Sequence, residues 1–329
     1  MSGTQKFKVF VARHDYESAM LEPLKALCDL DIYEGPDICP KDEYLRRVKG
    51  VHALCIHPGV GHVDQEVLET AGPQLKVVGT MSVGYDHIDV AACKAKGVKV
   101  GNTPYVLSDS VAEHTICLAL MVLRRVPFLM GSIVADTWKN NKGSAFASLG
   151  ASLHGKTVGI IGLGGIGKAI AERLIAFKVN KVIYNSRTQK PDVAKLLGLE
   201  FATLDNLLSQ CDLVITSCDL NESTKHILNR EAFKKMKKSA IVVNISRGPI
   251  IEQHHLIEAL QNGEIAGAGL DVMTPEPLPF DHPLTKMPNV VLTPHMGSAT
   301  WETRMAMGDL TVKNIIAGLQ DQPLPAPLC

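Results

Sequence analysis

Two residues in the second half of the chain could bind and protonate a small organic anion. Arg247 follows the apolar run 240–244, and its planar guanidinium offers forked donors to a carboxylate at any working pH. His295 follows the apolar run 290–293, and an imidazole can donate or accept a proton near neutrality. Ligands of open α/β sheets bind beyond the carboxyl ends of strands, which favours a site at Arg247 over an ordinary surface arginine. For His295 alone, a loop histidine without a function is the alternative.

A glycine-rich segment predicts a dinucleotide site. It follows the apolar run 157–161, opens the helical pattern 168–174 and precedes a second apolar run at 181–184. In this context the first glycine allows a tight turn, a second lets the backbone approach a pyrophosphate, and the last lets helix and strand pack closely. The helix N-terminus then presents free N–H groups to the phosphates. A tight turn without a ligand is the alternative, and the segment is Gly162, Leu163, Gly164, Gly165, Ile166 and Gly167.

The elements that must position these residues alternate between short apolar strands and helices, which predicts parallel sheets with helices on both faces. The first unit ends near residue 104. Its expected elements are a helix at 16–27 and strands at 8–12, 52–56, 76–80 and 97–100.

A long helix should follow, with Ser110 as N-cap, Glu113 at the third helical position and Pro127 as its end or a kink. Residues 138–148 are expected to form a loop, and a final helix at 301–319 should pack on the first unit. Two mononucleotide-binding halves require six strands in the second unit, predicted at 158–161, 182–184, 213–217, 240–244, 267–271 and 290–293.

Composition excludes several classes of partner. The 329 residues suffice for two domains, and Lys plus Arg equal Asp plus Glu at 34 each, so no net charge recruits nucleic acid or an acidic membrane. The longest apolar stretch, 115–123, is shorter than the roughly 20 residues that span a bilayer. We therefore expect neither a nucleic-acid nor a membrane partner.

The cysteines and the N-terminus favour a cytoplasmic protein without a metal. Residues 1–7 lack the apolar core of a signal peptide, and the eight cysteines form no C-x-x-C pair, which suits reduced thiols. His52, Cys55, His57 and His62 are metal-ligating types, but the first three straddle a predicted strand whose alternate side chains face opposite sides.

Three further segments, with their spacing, resemble the D-isomer-specific 2-hydroxyacid dehydrogenases. They are 244–248 (Asn-Ile-Ser-Arg-Gly), 269–272 (Gly-Leu-Asp-Val) with Pro-Glu-Pro at 275–277, and 293–298 (Thr-Pro-His-Met-Gly-Ser). Within that family the segments 81–87 and 295–300 are most similar to the glyoxylate/hydroxypyruvate reductases.

The resemblance implies two Rossmann-like, doubly wound parallel-sheet domains with the active site in the cleft between them. The substrate domain would comprise residues 1–104 and 300–329, and the dinucleotide-binding domain residues 105–299. A homodimer held largely through the dinucleotide-binding domain is also implied.

The resemblance also implies residue roles for the reduction of a 2-keto acid. Arg247 would hold the carboxylate with the backbone N–H groups of Val83 and Gly84, and His295 would donate the proton. Glu276 would lie beside His295, where a carboxylate stabilises the imidazolium form. The remaining implied contacts are Ser298 to the substrate or the ribose, Ile245 to the cofactor, and Asp271 to the nicotinamide carboxamide, with turn capping as the alternative for Asp271.

The end of the second strand of the dinucleotide fold bears on the choice of cofactor. NAD enzymes usually carry an acidic residue there, whereas Ser186, Arg187 and Thr188 suit the 2′-phosphate of NADP. Asp219 stands where the family usually has a small residue or proline, and its negative charge opposes that phosphate. We expect NADP to be preferred, with NAD possible.

The expected activity is NADPH-dependent reduction of glyoxylate and hydroxypyruvate. A D-lactate or other 2-keto-acid dehydrogenase is one alternative. A non-enzymatic, NAD(P)-sensing corepressor-like scaffold is another, because such members of the family retain similar residues.

Overall fold

The computed structural model describes residues 6–36, 38–141 and 148–329, apart from the side chain of Asn141. The chain divides into two compact units. Unit 1 comprises Met1–Leu107 with Ala299–Cys329, and unit 2 comprises Ser108–Ser298. Part of the loop expected at 138–148 lies outside the described residues, and its start, Trp138–Asn141, forms a 3-10 turn.

Unit 1 is built on a five-stranded parallel sheet in the order β2-β1-β3-β4-β5. Strands β3 and β4 are buried along their whole length, as the unbroken apolar runs predict. The elements before residue 108 are β1 (Phe7–Val11), α1 (Ser18–Leu27), β2 (Cys28–Ile32), α2 (Lys41–Val48), β3 (Ala53–Ile56), α3 (Gln65–Ala71), β4 (Val77–Thr80), α4 (Val90–Ala95) and β5 (Lys99–Gly101).

Unit 2 is built on a seven-stranded parallel sheet in the order β12-β11-β10-β9-β6-β7-β8. The order reverses between β6 and β9, which is the switch point where doubly wound sheets bind ligands. Its elements are α5 (Ser108–Leu123), α6 (Val126–Val134), β6 (Thr157–Ile161), α7 (Gly165–Ala176), β7 (Lys181–Asn185), α8 (Pro191–Leu197), β8 (Glu200–Phe201), α9 (Leu204–Gln210), β9 (Leu213–Thr216), α10 (Arg230–Lys235), β10 (Ile241–Asn244), α11 (Gln253–Gln261), β11 (Gly267–Leu270) and β12 (Val290–Leu292).

The prediction of two doubly wound parallel sheets is confirmed, with differences at the sheet edges. Two strands were not predicted. Asp29 and Asp31 interrupt the apolar pattern of β2, and β8 has only two residues, both exposed. Both are edge strands, which need no apolar side chains on both faces and so leave a weak signal.

The long helix begins earlier than predicted, at Ser108, so Ser110 is not its N-cap. Instead the buried Ser110 hydroxyl donates to the carbonyl of Gly297 at 2.8 Å. Pro127 stands in the first turn of α6, which is bent by 62° from α5. Among the described residues no single helix is long and apolar enough to cross a membrane, although α5 and α6 together have the length and composition.

The final helix, α12 (Trp301–Leu319), has the predicted bounds and packs on β3, β4 and α1 of unit 1. The Thr300 side chain accepts a hydrogen bond from the N–H of Thr303 and caps the helix. A Cβ on Gly79 would lie 2.7 Å from Ile315, so the glycine in β4 permits this close packing.

Candidate active site

An exposed histidine and a carboxylate form a close pair in unit 2. His295 Nδ1 lies 2.9 Å from Glu276 Oε2, and the two side chains are 44% and 34% exposed. The other carboxylate oxygen accepts from the N–H of Met273 at 2.8 Å, so the backbone fixes Glu276. Since Nδ1 faces the carboxylate, Nε2 is the nitrogen available to exchange a proton with a ligand.

The turn that carries His295 is held by Asp271, which is 2% exposed. Its carboxylate accepts from the N–H groups of Met296 (2.8 Å) and Gly297 (2.9 Å), and from Thr293 Oγ1 (2.7 Å). His295 itself has a φ of +51°, and its N–H donates to the Asp271 carbonyl. Asp271 therefore caps this turn; the contact to nicotinamide stays a prediction.

A histidine on α5 completes the surroundings of Asp271. His114 Nε2 lies 3.2 Å from Asp271 Oδ1 and 2.9 Å from Thr293 Oγ1. Burial raises the pKa of the Asp271 carboxyl, but its hydrogen bonds, led by those from His114 and Thr293, outweigh burial and hold the pKa below its ordinary value. His114 was not predicted as a site residue, because its position in the Glu113-His114 pair near a helix start does not indicate a contact with Asp271.

Arg247 follows β10, the strand beside β11, and is half-buried. Its backbone is fixed because Asn244 Nδ2 donates to the Arg247 carbonyl at 3.0 Å, and its Nη1 donates to the Ser246 carbonyl. A Cβ on Gly248 would lie 2.0 Å from the Met273 carbonyl oxygen, so the loop bearing Arg247 abuts the loop that fixes Glu276. Adjacent parallel strands thus bring Arg247 and Glu276 to one edge of the sheet.

The glycine segment has the geometry of a phosphate-binding turn. Gly162 has a φ of +101°, and a Cβ there would meet the backbone of Ser217 and Cys218 at 2.7 Å. A Cβ on Gly167 would lie 2.2 Å from the Gly162 carbonyl, whereas one on Gly164 meets nothing within 4 Å. Helix α7 begins at Gly165 without a side-chain cap, so its first N–H groups are open to an anion.

The predicted 2′-phosphate residues follow β7, the strand next to β6. Arg187 and Thr188 are exposed, and Ser186 Oγ donates to the Thr188 carbonyl at 2.8 Å. Asp219 follows β9, on the other side of β6, and is also exposed. The residues present therefore fit a dinucleotide with an anionic group at the end of β7.

Comparisons with known proteins identify the family of this chain. The family model of the D-isomer specific 2-hydroxyacid dehydrogenase NAD binding domain matches residues 116–297. Human glyoxylate reductase/hydroxypyruvate reductase is 40% identical over 100% of this chain and 99% of its own. This chain belongs to the D-isomer-specific 2-hydroxyacid dehydrogenase family. It is an NAD(P)-dependent oxidoreductase of that family.

Two other relatives of this dehydrogenase are similar over nearly their whole length. Glyoxylate reductase of Pyrococcus furiosus is 41% identical over 95% of this chain and 92% of its own. The solved NADPH-dependent glyoxylate/hydroxypyruvate reductase of Sinorhizobium meliloti, in complex with NADP and malonate, is 33% identical. It superposes with a TM-score of 0.85, covering 99% of this chain and 97% of that one.

Unit 1 of the dehydrogenase contains a cavity with several charged and polar lining residues, which the sequence did not predict. Its volume is about 410 Å³, and it lies where the carboxyl ends of β1, β3 and β4 meet the N-terminus of α12. In the order β2-β1-β3-β4-β5 the β1/β3 boundary is the topological switch point. Charged and polar lining residues are Arg13, Asp15, Tyr16, Glu17, His57, Thr300 and Arg304.

The predicted site residues of unit 1 begin next to this cavity. Met81 lines it, and Val83 and Gly84 follow on the same turn after β4. Ser298 of unit 2 follows the His295 turn directly, and Ile245 follows β10 and is 8% exposed. The roles of these residues stay predictions.

The cysteines of the dehydrogenase are free thiols, and all eight lie among the described residues. Burial raises the pKa of Cys55 to about 12, so this thiol in β3 is an unreactive core residue. Within residues 6–36, 38–141 and 148–329, no group of three His, Cys, Asp or Glu side chains could hold a metal ion.

Proposed function

We propose that this dehydrogenase is an NADPH-preferring reductase of small 2-keto acids, converting glyoxylate to glycolate and hydroxypyruvate to D-glycerate. The observation that carries the proposal is the His295–Glu276 pair, 2.9 Å apart, in which Glu276 lies on a loop abutting that of Arg247. The activities in the names of the human, Pyrococcus and Sinorhizobium relatives supply the substrates.

Each protein group has one task in this reaction. The Arg247 guanidinium binds the substrate carboxylate and orients the adjacent ketone. When bound, the reduced nicotinamide supplies the hydride that C2 accepts. His295 Nε2 donates the proton to the carbonyl oxygen, and Glu276 stabilises the imidazolium that exists before this transfer.

The preference for NADPH rests on the end of β7. Arg187 with the hydroxyls of Ser186 and Thr188 provides a positive charge and donors for a 2′-phosphate, and no acidic residue stands there to hold ribose hydroxyls. The negative charge of Asp219 opposes the 2′-phosphate and so reduces the preference for NADPH. We expect Arg187→Ala to raise the KM for NADPH about tenfold and leave the KM for NADH unchanged.

The cavity of unit 1 supports a substrate-binding role for that unit. Its volume of about 410 Å³ is sufficient for a small 2-keto acid, and charged and polar side chains are among its lining residues. Unit 1 would thus serve as the substrate domain and unit 2 as the dinucleotide-binding domain. The free thiols support a cytoplasmic location for the enzyme.

The deciding experiment measures initial rates of NADPH and NADH oxidation with glyoxylate, hydroxypyruvate and pyruvate, for the wild type and His295→Ala. Rapid NADPH-dependent reduction of the first two substrates, lost in the variant, is the expected result. A preference for pyruvate would replace the proposal with a D-lactate dehydrogenase. Cofactor binding without turnover of any keto acid would favour a non-enzymatic scaffold.

A further inference from the structure

Helix α5 is seated tightly against β11, the strand that ends at the residue before Asp271. A Cβ on Gly267 would lie 2.8 Å from Val122 of the helix. A Cβ on Gly269 would lie 3.3 Å from Leu118, so the glycines of the strand let the helix lie close to it. Packing this tight leaves no space into which the helix could shift. Side chains on α5 therefore have fixed starting points relative to the end of β11.

A salt bridge also ties α5 to α7, the helix that begins in the glycine-rich segment. Arg173 Nη2 of α7 donates to Asp109 Oδ1 at 3.0 Å and to Glu113 Oε1 at 3.2 Å, and these two acids stand one turn apart on α5. Arg173 Nη1 donates to the Ala169 carbonyl of its own helix at 3.1 Å, which fixes the guanidinium. Helix α5 is thus held by both β11 and α7.

Two polar side chains of α5 contact the turn that carries His295. Ser110 Oγ donates to the Gly297 carbonyl at 2.8 Å. His114 Nε2 lies 2.9 Å from Thr293 Oγ1. Ser110 is 9% exposed and the His114 side chain is 13% exposed, so water competes little for these hydrogen bonds. The two residues are four positions apart and share one face of the helix, from which they hold the turn on either side of His295.

The direction of the hydrogen bonds at Thr293 follows from counting protons. Asp271 has a lowered pKa, so its carboxylate is ionised near neutral pH and only accepts. Thr293 donates its single hydroxyl proton to Asp271 Oδ1 at 2.7 Å, so its oxygen must accept from His114 Nε2. That Nε2 hydrogen is shared with Asp271 Oδ1, which lies 3.2 Å from the nitrogen. Removing the donor leaves the buried carboxylate with one hydrogen bond fewer and lets the Thr293 side chain rotate.

We propose that Ser110 and His114 are positioning residues for proton transfer, because from α5 they hold the turn that places the His295 imidazole. The inference rests on the proposed reductase function and goes beyond it, since it extends the machinery for proton donation to a helix that precedes the glycine-rich segment. Both residues act through the turn and not on the substrate. Loss of either one should misplace His295 without removing it, which lowers the rate of proton transfer.

The test uses variants of the full-length enzyme that change one side chain of α5. His114→Leu removes the donor, and His114→Gln restores an N–H donor of similar reach. Ser110→Ala removes the hydrogen bond to Gly297. Thr115→Val is the matched control, because Thr115 is 0% exposed on the same helix but its hydroxyl donates to Val111 inside that helix. Thermal unfolding checks that each variant is folded.

Steady-state kinetics should separate kcat from KM in these variants. We expect His114→Leu to lower kcat for hydroxypyruvate about tenfold and to leave its KM unchanged, because Arg247 binds the carboxylate from a different loop. His114→Gln should recover most of this loss. Ser110→Ala should lower kcat to a similar extent as His114→Leu, and Thr115→Val should keep the wild-type value.

Hydrogen–deuterium exchange reports on the turn in the absence of substrate. The N–H groups of Met296 and Gly297 donate to Asp271 in the folded protein. We expect peptides spanning residues 293–298 to exchange about tenfold faster in His114→Leu, as followed by mass spectrometry. Thr115→Val should exchange as the wild type does.

A wild-type exchange rate in folded His114→Leu and Ser110→Ala would overturn the proposal, as would an active enzyme whose kcat neither substitution changes. The same losses in Thr115→Val would also overturn it. Faster exchange in His114→Leu of a protein that reduces no 2-keto acid would instead refute the reductase function and keep the hold of α5 on the turn.

Discussion

At the scale of single residues, the proposed chemistry depends on a histidine whose hydrogen-bond partner is a carboxylate. Unit 2 contains a second pair with nearly the same geometry, His226 Nδ1 and Glu252 Oε2 at 3.0 Å, outside the candidate site. The exposed fractions of the two pairs are also similar. Variants of the two pairs can therefore be compared to separate the contribution of a His–Glu pair to catalysis from its contribution to folding stability.

Glu276→Gln should lower kcat/KM for hydroxypyruvate about a hundredfold at neutral pH, because the amide no longer stabilises the imidazolium that donates the proton. Initial-rate measurements across substrate concentrations check this. Glu252→Gln is the control and should keep the wild-type rate. Equal rates for the two variants would remove Glu276 from the mechanism.

Asp271 should make the stability of unit 2 depend on pH. Its folded pKa is lowered from the ordinary value of 3.8, so its ionised form stabilises the fold. That contribution is complete above the unfolded pKa and is lost as pH falls through the lowered folded pKa.

Asp271→Asn should therefore reduce the free energy of unfolding by about 2 kcal/mol at pH 7, since hydrogen bonds to a charged acceptor are lost. The difference from wild type should shrink as the pH drops below about 5. Urea unfolding at several pH values measures both effects. A difference that stays constant over this range would show that ionisation of Asp271 does not stabilise the fold.

At the scale of elements, the turn from β6 to α7 assigns different tasks to its glycines. Gly162 and Gly167 are required by close backbone contacts, whereas the space beside Gly164 is open. Open space at the start of a helix is suited to binding a phosphate, because the first N–H groups of the helix face it.

Gly164→Ala should leave the unfolding temperature unchanged and raise the dissociation constant of NADPH at least tenfold, because the added methyl blocks the phosphate. Gly167→Ala should lower the unfolding temperature and also raise the dissociation constant of NADPH, since its Cβ would lie 2.2 Å from a carbonyl oxygen. Calorimetry and fluorescence titration distinguish the two variants. Normal NADPH binding by Gly164→Ala would place the pyrophosphate elsewhere.

At the scale of the whole molecule, the described residues leave most apolar side chains of helix α6 exposed. None of its described residues is buried, and Met130, Ile133 and Val134 are 60%, 61% and 88% exposed. An apolar helix of this kind usually marks a protein interface. We propose that α6 belongs to the homodimer interface that the family resemblance implies.

Ile133→Asp should convert a dimer into a monomer, as measured by analytical ultracentrifugation, because a charge on the apolar helix opposes its burial. Leu196→Asp is the control, since Leu196 of α8 is 73% exposed and belongs to a different helix. A monomeric wild type, or a dimer that survives Ile133→Asp, would exclude α6 from the interface.

Features that depend on local sequence pattern were predictable from the amino-acid sequence alone. Unbroken apolar runs indicate buried parallel strands, and glycine spacing predicts the turn from β6 to α7, because φ angles and strand burial are set by neighbouring residues. The motifs around Arg247, Glu276 and His295 were visible for the same reason. Edge strands β2 and β8 were missed because they need no such pattern.

Contacts between residues far apart in the chain became visible only in the folded structure. His114 contacts Asp271 from 157 residues away, and Ser110 binds Gly297 instead of capping its own helix. A buried series of hydrogen bonds links His87 through Thr80 and Ser82 to the Gly84 carbonyl, and it depends on how β4 and the turn after it are packed. Such contacts depend on the path of the whole chain, and hydrogen bonds between residues far apart leave no periodic signal in the sequence.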